Sequence, residues 1–455
     1  MENNFWSGRK VLVMGLGRFG GGLDSAKFVA CSGAEVTVTD IQNADDIAES
    51  LDGLSGFGGI KYHLGGHVEK DFEQADIVIV NPAVLKNNKY LKIAKENGAA
   101  VTTQINIFLE KCPALLIGIT GSNGKSTTAA LTYHILKGAE GNKGVSYRKA
   151  WLGGNIGDRP LLCVLDQIQT DDVVVLELSS FQTDYFDKTA LSTHMALLTN
   201  LTPNHIDRHG SFQDYCEAKE KLFTYQRIDP ERRCGCFFCR DDRIGTEWHN
   251  KYKQLRECNF FCADDLSDKI KKGFKLVGRA NLNDLAGAAA IAKSLGINDE
   301  IINVSEFKPL SHRLEFVLEA DGVRWYNDSK STTPQSLCTA IESFDSPVIL
   351  IAGGYDKGVS FDQMGAEIAK RCKTVILMGQ TAKSIEKAIV NAPDSAGSNV
   401  RIHIAGDMAE AVCKARQDAE FGDCVVLSPG CASYDMFDNY QQRGAEFVRM
   451  IKGLK

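Results

Sequence analysis

What this chain of 455 residues lacks narrows its function first. No apolar run approaches the roughly 18 residues that a membrane span requires, so no transmembrane helix is expected and a membrane is not an expected partner. A basic excess is also missing. With 52 Lys and Arg against 58 Asp and Glu the formal net charge is −6, which argues against a surface built to coat nucleic acid. Proline is scarce, at 10 residues. Neither a Pro/Ser-rich linker, a low-complexity tract nor a repeat of roughly 20–50 residues occurs, so domains are expected to pack directly and hinge at short joints. The segment Met1 to Lys10 is polar and leads straight into a strand. No secretory signal is visible in it, and a cytoplasmic protein is expected.

Cysteine, by contrast, is plentiful at fourteen residues. Cys234, Cys236 and Cys239 lie close together, and Cys258 and Cys262 follow. No C-x-x-C pair recurs with finger-like spacing, which weighs against zinc. Disulfides are not expected in a cytoplasmic chain. Cys236, Phe238 and Arg240 alternate against Phe237 and Cys239 as a strand would, and cysteine is a common small buried residue.

The length suggests about three domains, each large enough for its own core. The expected class is α/β: a Rossmann-like N-terminal domain over 1–103, a central P-loop ATPase-like mononucleotide-binding domain over 104–309, and a C-terminal Rossmann-like domain over 310–455. In the first, strands at Val11–Met14, Glu35–Thr39 and Ile77–Val80 alternate with helices such as Gly20–Cys31, the pattern of a parallel sheet. The second begins at Leu115, with strands Val173–Leu178 and Met195–Leu198, a helix around Phe212–Tyr225 and the Ala-rich helix Asn283–Ser294. The third has a mixed segment through Trp325, then strands Val348–Ala352, Thr374–Met378 and Cys424–Leu427.

The central domain carries the strongest motif. A short apolar strand ending Ile119-Thr120 runs into Gly121-Ser122-Asn123-Gly124-Lys125-Ser126-Thr127, and a helical pattern follows. Glycines let backbone N–H groups face phosphates, Lys125 supplies a point charge, and the hydroxyl of Ser126 or Thr127 can ligate Mg²⁺. The strict G-x-x-x-x-G-K-S/T spacing would need glycine where this chain has Ile119, so the loop is closed by Gly121 instead. Glu177 ends a strongly apolar strand, where a carboxylate points into the ligand crevice and can hold Mg²⁺. Past the next strand, Asn204-His205-Ile206-Asp207-Arg208-His209-Gly210 groups two histidines and an aspartate that suit a metal or phosphate shell. Lys219, on the helix after that, would reach the same crevice if the helix packs over the sheet; alone it reads as a solvated surface lysine.

Near the N-terminus, Gly15-Leu16-Gly17-Arg18-Phe19-Gly20 opens a helix, and Asp40 ends the next strand. The chemistry legible here is a diphosphate on a helix N-terminus. A nucleotide-sugar diphosphate satisfies it as well as NAD does. A nicotinamide-dependent oxidoreductase therefore stays open as an alternative, although it leaves Lys125, Glu177 and His205 unexplained. A nucleotide-gated binding module without catalysis is a further class.

Taken in order, Gly-Ile-Thr-Gly-Ser-Asn-Gly-Lys-Ser-Thr, Leu-Glu-Leu-Ser-Ser-Phe-Gln and Asn-His-Ile-Asp-Arg-His-Gly resemble the Mur ligase family, ATP-dependent amide-forming enzymes of peptidoglycan stem-peptide synthesis. Ser311-His312-Arg313-Leu314-Glu315, Asn327-Asp328-Ser329-Lys330-Ser331-Thr332, Gly353-Gly354-Tyr355-Asp356-Lys357-Gly358 and Leu427-Ser428-Pro429-Gly430-Cys431-Ala432-Ser433-Tyr434-Asp435 resemble its D-glutamate-adding branch. Other stem-peptide ligases and folylpolyglutamate-type ligases are the nearest alternatives.

The resemblance implies ATP and Mg²⁺ as cofactors, UDP-MurNAc-L-alanine and D-glutamate as substrates, and a monomer. It implies Lys125, Glu177, His205 and Lys219 as catalytic. Mg²⁺ would be held by Ser126 or Thr127, by Glu177, by His205 and by Lys219 as a carbamate. On the nucleotide side it implies the loop Gly121–Thr127 with Asn281, Arg313, Asp328 and Lys330. Arg18, Phe19, Asp40, Asn81, Asn155 and Gln182 would meet the UDP-sugar substrate. Thr332, Lys357, Ser433, Tyr434 and Tyr440 would meet D-glutamate. Two departures stand out. The family's Gly-x-His-Asn-x-x-Asn is here Gly278-Arg279-Ala280-Asn281-Leu282-Asn283-Asp284, and Tyr440 replaces another aromatic.

Overall fold

Three sheets carry the chain, and each sets its loops from the C-terminal ends of parallel strands. The computed structural model describes residues 5–17, 20–156, 160–188, 191–344, 346–392 and 400–453. Arg18 and Phe19 lie outside the described residues, as does the side chain of Asp207. The chain forms two compact units. One comprises Met1–Cys262 with Gly287–Ile302, the other Ala263–Ala286 with Asn303–Lys455.

The first unit holds two sheets. In one, β1 (Lys10–Met14), β2 (Glu35–Asp40), β3 (Lys61–Leu64), β4 (Ile77–Val80) and β5 (Ala100–Thr102) run parallel in the order β3-β2-β1-β4-β5. The order reverses between β1 and β4, the place where an open α/β sheet leaves a crevice for a ligand. In the other, β6 (Leu115–Thr120), β7 (Ala150–Gly154), β8 (Val173–Glu177), β9 (Met195–Leu198), β10 (Gly235–Cys239) and β11 (Cys258–Phe261) run in the order β11-β10-β9-β6-β8-β7, all parallel. All five residues of β8 are buried, because helices cover both faces of such a sheet and a β-branched Val-Val-Val run suits that setting. β10 is also buried at every position. The alternation expected of its Cys and Phe residues therefore separates two covered faces, not core from solvent.

The second unit is built on β12 (Glu315–Ala320), β13 (Val323–Asn327), β14 (Val348–Ala352), β15 (Cys372–Met378), β16 (Arg401–Ala405) and β17 (Cys424–Leu427), in the order β12-β13-β17-β14-β15-β16. The segment expected only to be mixed is an antiparallel hairpin of β12 and β13. Its turn is Asp321-Gly322, with φ of 54° and 75°. Positive φ at both turn residues is what a two-residue hairpin needs, and Asp-Gly supplies it with little strain. Buried apolar residues fill both faces of this sheet, Leu337, Leu350 and Ile385 on one and Trp325, Ile351 and Phe447 on the other.

Candidate active site

The phosphate loop is shaped from the strand beside it. Ile119 is a buried residue of β6 opposite Glu177 of β8, so the glycine missing from the usual spacing falls inside a strand and the loop proper begins at Gly121. Gly121 has φ 147°, and a Cβ there would lie 1.9 Å from the Thr199 hydroxyl. Gly124, at φ 79°, turns the chain into the helix Lys125–Ala139. Between them the Ser122 N–H donates to the Asn200 carbonyl at 2.8 Å and the Asn123 N–H to Asn200 Oδ1 at 3.0 Å. Asn200 Nδ2 and the Thr199 hydroxyl in turn donate to the Asn123 carbonyl, at 3.1 and 2.6 Å. Two of the N–H groups expected to face phosphate are thus committed to Asn200. The anion-facing donors that remain by helix geometry are those of the first turn after Gly124. The Lys125 ammonium folds back onto the Ser122 carbonyl at 2.8 Å.

Glu177, Ser126 and Lys219 converge behind this loop. Ser126 Oγ donates to Glu177 Oε2 at 2.6 Å, and Asn155 Nδ2 donates to Glu177 Oε1 at 3.2 Å. Glu177 is 2 % exposed and Lys219 1 %. The solvated reading of Lys219 is corrected. On the helix Phe212–Thr224 its neighbours by helical spacing are Tyr215, Leu222 and Phe223, all buried, and the stripe carries the lysine into the core. Its nitrogen donates to the Thr120 hydroxyl at 3.4 Å. Burial holds the amine well below its usual range; the charge of Lys125 adds to this and that of Glu177 opposes it. A buried amine that deprotonates readily is a nucleophile.

His205 stands in the left-handed region at φ 53° and heads the short helix Ile206–His209. Its ring lies 5.0 Å from Phe181 and 6.4 Å from Tyr215. His209 meets the Ser180 hydroxyl at 3.0 Å. Tyr215, which sequence reasoning missed, joins the group to the loop: its hydroxyl is 3.0 Å from Ser122 Oγ. Arg208 reaches the Pro82 and Val84 carbonyls at 2.8 and 2.6 Å.

At the β1/β4 crevice the structure gathers Gly15, Gly17, Asp40 and Asn81. Asp40 accepts from the Gly17 and Gln42 N–H groups at 3.1 and 2.9 Å. A Cβ on Gly15 would lie 2.8 Å from Asn81 Cβ. Asp40 thus pins the glycine loop as well as lining the crevice. Gln182 is placed differently from a free ligand contact. Its Oε1 accepts from the Ser179 N–H and hydroxyl at 2.9 and 3.0 Å, closing a capping box at a short helix.

In the second unit three loops meet, those after β13, β14 and β17. The Gly430 N–H donates to the Ser331 carbonyl, the Gly353 N–H to Pro429 and the Tyr355 N–H to Ala432. Asp328 is buried and accepts from the Leu314 N–H at 3.0 Å and from Ser428 Oγ at 2.8 Å. Burial pushes its carboxyl up to about 6, against the lowering effect of those bonds. Ser433 is buried, Thr332 half-buried, and Tyr434 and Lys357 exposed. The Lys330 ammonium lies 5.4 Å from the Tyr440 ring centre, and His312 stands 6.0 Å from the same ring. The Arg313 N–H donates to the Leu310 carbonyl at 3.2 Å.

Sequence models of three Mur ligase domains match the chain: "Mur ligase MurD-like, N-terminal domain" over 9–103, "Mur ligase middle domain" over 119–275, and "Mur ligase, glutamate ligase domain" over 312–431. UDP-N-acetylmuramoylalanine--D-glutamate ligase of Roseiflexus sp. (strain RS-1) is 36% identical across 98% of this chain and 99% of its own length. The enzyme of that name from Clostridium tetani is 35% identical across 98% and 97%. The chain belongs to the Mur ligase family. Among solved structures, MurF ligase of Thermotoga maritima in complex with ADP aligns over 100% of this chain and 97% of that one, with a TM-score of 0.56 at 14% identity. UDP-N-acetylmuramate-alanine ligase MurC of Thermotoga maritima aligns over 98% and 100%, with a TM-score of 0.55 at 16% identity. These two share the fold.

Mur ligases are ATP-dependent and act on small molecules, and this one carries their α/β architecture. The N-terminal glycine loop lies within the MurD-like match, which removes the ground for the oxidoreductase alternative. In the departing motif of this Mur ligase, Asn281 donates to the Val277 carbonyl at 2.6 Å, Asp284 is buried, and Ala280 is exposed. Arg443 is a second residue that the sequence reading passed over. It is 2 % exposed. Its guanidinium donates to Ser329 Oγ and the Ser329 carbonyl at 3.0 and 2.8 Å, and to the Cys431 and Ala432 carbonyls at 3.1 Å each. Burial holds it down to about 10. Among the described residues no helix is long and apolar enough to cross a membrane.

Proposed function

We propose that this protein is a UDP-N-acetylmuramoylalanine--D-glutamate ligase, joining D-glutamate to UDP-MurNAc-L-alanine at the expense of ATP in cytoplasmic peptidoglycan precursor synthesis, as a monomer. The observation that carries this reading is the similarity, over nearly the whole chain, to ligases of that name. Residues 1–103 bind the UDP-sugar, 104–309 bind ATP, and 310–455 bind the amino acid.

The reaction has two displacements. The terminal carboxylate of the UDP-sugar alanine attacks the γ-phosphorus of ATP, an O–P bond forms as the β–γ bridge breaks, and ADP leaves. The D-glutamate amine then attacks the acyl carbon, loses a proton, and phosphate departs from the tetrahedral centre as the amide forms. Both steps depend on positioning and on charge neutralisation. The helix terminus after Gly124 and the Lys125 ammonium hold the phosphates. Asp40, Asn81, Arg18 and Phe19 hold the uridine diphosphate end, and Asn155 and Gln182 the sugar-peptide end. Thr332, Lys357 and Ser433, beside Tyr434 and Tyr440, hold the dianionic amino acid through hydroxyl and ammonium donors. Asn281, Arg313, Asp328 and Lys330 serve the nucleotide.

The residues fit Mg²⁺. Ser126 Oγ and the Glu177 carboxylate, 2.6 Å apart, are hard oxygen donors of the kind Mg²⁺ takes, and Thr127 and His205 complete the candidate set. Bound Mg²⁺ would supply positive charge to the β and γ oxygens. Lys219 as a carbamate exchanges its cation for a carboxylate-like oxygen donor, a change its buried, readily deprotonated amine favours.

The test is a coupled assay of ADP and phosphate release with UDP-MurNAc-L-alanine, across D-glutamate, L-glutamate and other amino acids. Turnover is expected with D-glutamate. No turnover with that trio, alongside turnover with a different amino acid or acceptor, overturns the assignment.

A further inference from the structure

The cysteine-rich strand remains unused by the ligase chemistry, and its pairing gives it a chemistry of its own. β10 and β11 lie side by side with Cys236 directly opposite Cys258. Neighbouring strands stand about 4.8 Å apart, inside the range of Cα separations that a disulfide spans. The two thiols are near enough to shift each other's titration. They differ in access: Cys236 is 0 % exposed, whereas Cys258 is half-buried on the strand at the sheet edge. Cys236 Sγ also donates to Gln226 Oε1 at 3.1 Å, and the same oxygen accepts from Arg256 at 3.2 Å, which fixes a guanidinium beside the pair.

The neighbouring Cys236 thiol lowers the Cys258 thiol; burial opposes the shift and the Arg256 charge assists it. The same proximity, with burial, raises Cys236. A reachable, acidified thiol next to a buried protonated one is the arrangement of an attacking and a resolving cysteine. Among the described residues no group of three or more His, Cys, Asp and Glu is placed to hold a metal ion, so the site is a pair.

We propose that Cys258 and Cys236 form a peroxide-oxidisable dithiol, a modification site beyond the ligase reaction. The Cys258 thiolate attacks one oxygen of a hydroperoxide. An S–O bond forms as the O–O bond breaks, and the released alkoxide or hydroxide takes a proton from solvent. Cys236 sulfur then displaces the sulfenic oxygen, which leaves as water with the Cys236 proton. The sum is two thiols and one hydroperoxide giving one disulfide, one alcohol or water, and one water. A directly cross-strand link is strained, so it is readily reduced by a dithiol.

The test uses the full chain and a few equivalents of hydrogen peroxide, followed by alkylation, trypsin and mass spectrometry. Expected is a link between peptides 234–240 and 257–269, reversed by dithiothreitol, with fragment ions placing it at Cys236 and Cys258. Cys236→Ser should leave a dimedone-reactive sulfenic acid on Cys258. Cys258→Ser should abolish the link and slow oxidation of this region at least tenfold, and Cys262→Ser should keep the link. Oxidation confined to the exposed Cys31, Cys163 and Cys413, or a link that survives Cys258→Ser, overturns the proposal. Peptide mapping of the unmutated protein decides the matter even if a variant misfolds. Ligase turnover is not among the readouts, so failure of the ligase assignment would leave this result standing.

Discussion

The Lys219 ammonium nitrogen lies 4.9 Å from the centre of the Tyr215 ring, and the hydroxyl of that tyrosine meets Ser122 of the phosphate loop at 3.0 Å. One side chain therefore touches both the buried lysine and the loop that cradles phosphate. The spacing of four residues on a single helix turn produces this contact, since i and i+4 share a face.

Tyr215→Phe keeps the ring against Lys219 and removes the bond to Ser122. A hydrogen bond of this kind is worth about 1 kcal/mol, or roughly fivefold. The expected result is a rise of about that size in KM for ATP, with kcat little changed. Tyr215→Ala removes the ring as well and should lower kcat too. Steady-state kinetics at varied ATP separate the two, and an unchanged KM in the phenylalanine variant would detach Tyr215 from the loop.

Glu177→Ala should abolish turnover, by at least about a thousandfold if the carboxylate holds the Mg²⁺ that neutralises the phosphates. Raising Mg²⁺ should restore little of it. Near-normal turnover would remove Glu177 from the site.

Lys219→Ala should be inactive and regain part of its activity with a small carboxylate such as formate or acetate, which can stand where a carbamate oxygen would. Activity that is full without the additive would show that the lysine is not needed. The readout is turnover against carboxylate concentration.

Asp328 titrates near 6 in the folded protein, above the ordinary 3.8. The folded state therefore holds the proton more tightly than the unfolded chain. The stability this contributes is fully present below about pH 4 and is lost as pH rises through about 6. Asp328→Asn lacks the titration. Its thermal midpoint should gain on that of the parent by several degrees between about pH 4 and pH 7. A gap that stays constant over this range would refute the assignment.

Arg443 joins the loop after β13 to the loop after β17 through Ser329, Cys431 and Ala432. Arg443→Gln leaves most of these acceptors without donors, and Arg443→Lys cannot reproduce the planar fork. Each should cost stability, by about 3 kcal/mol or more for glutamine, seen in denaturant unfolding. If the loops bind amino acid and nucleotide as proposed, the lysine variant should raise KM for D-glutamate more than it lowers kcat. Equal loss in both would point to a purely structural role.

The strands Ile77–Val80, Met195–Leu198 and Val348–Ala352 were legible to the residue, because a parallel strand buried on both faces is an unbroken apolar run. Lys61–Leu64 and Arg401–Ala405 were not, since these edge strands are largely exposed and polar in part. The hairpin at Asp321-Gly322 carried a strong local signal that went unused. Lys219, which alone reads as a solvated surface lysine, and Arg443, which was passed over, were obscured for one reason. Each is a charged residue on an apolar helical stripe, beside Tyr215, Leu222 and Phe223 in one case and Phe447 and Ile451 in the other. The periodicity was present, and the charge masked it. The convergence of Ser126 on Glu177, fifty-one residues away, could not be read from spacing, because it depends on the order in which β6 and β8 pair.

Asn200 holds the Ser122 amide through its main-chain carbonyl and the Asn123 amide through its side-chain oxygen, so the loop takes its shape from bonds within the protein. Association then demands little ordering of backbone, and the nucleotide meets a mould instead of casting one. Loosening that grip by Asn200→Ala would shift the entropy of loop closure from folding to binding, and calorimetry would register it as a more negative binding entropy for the same phosphates.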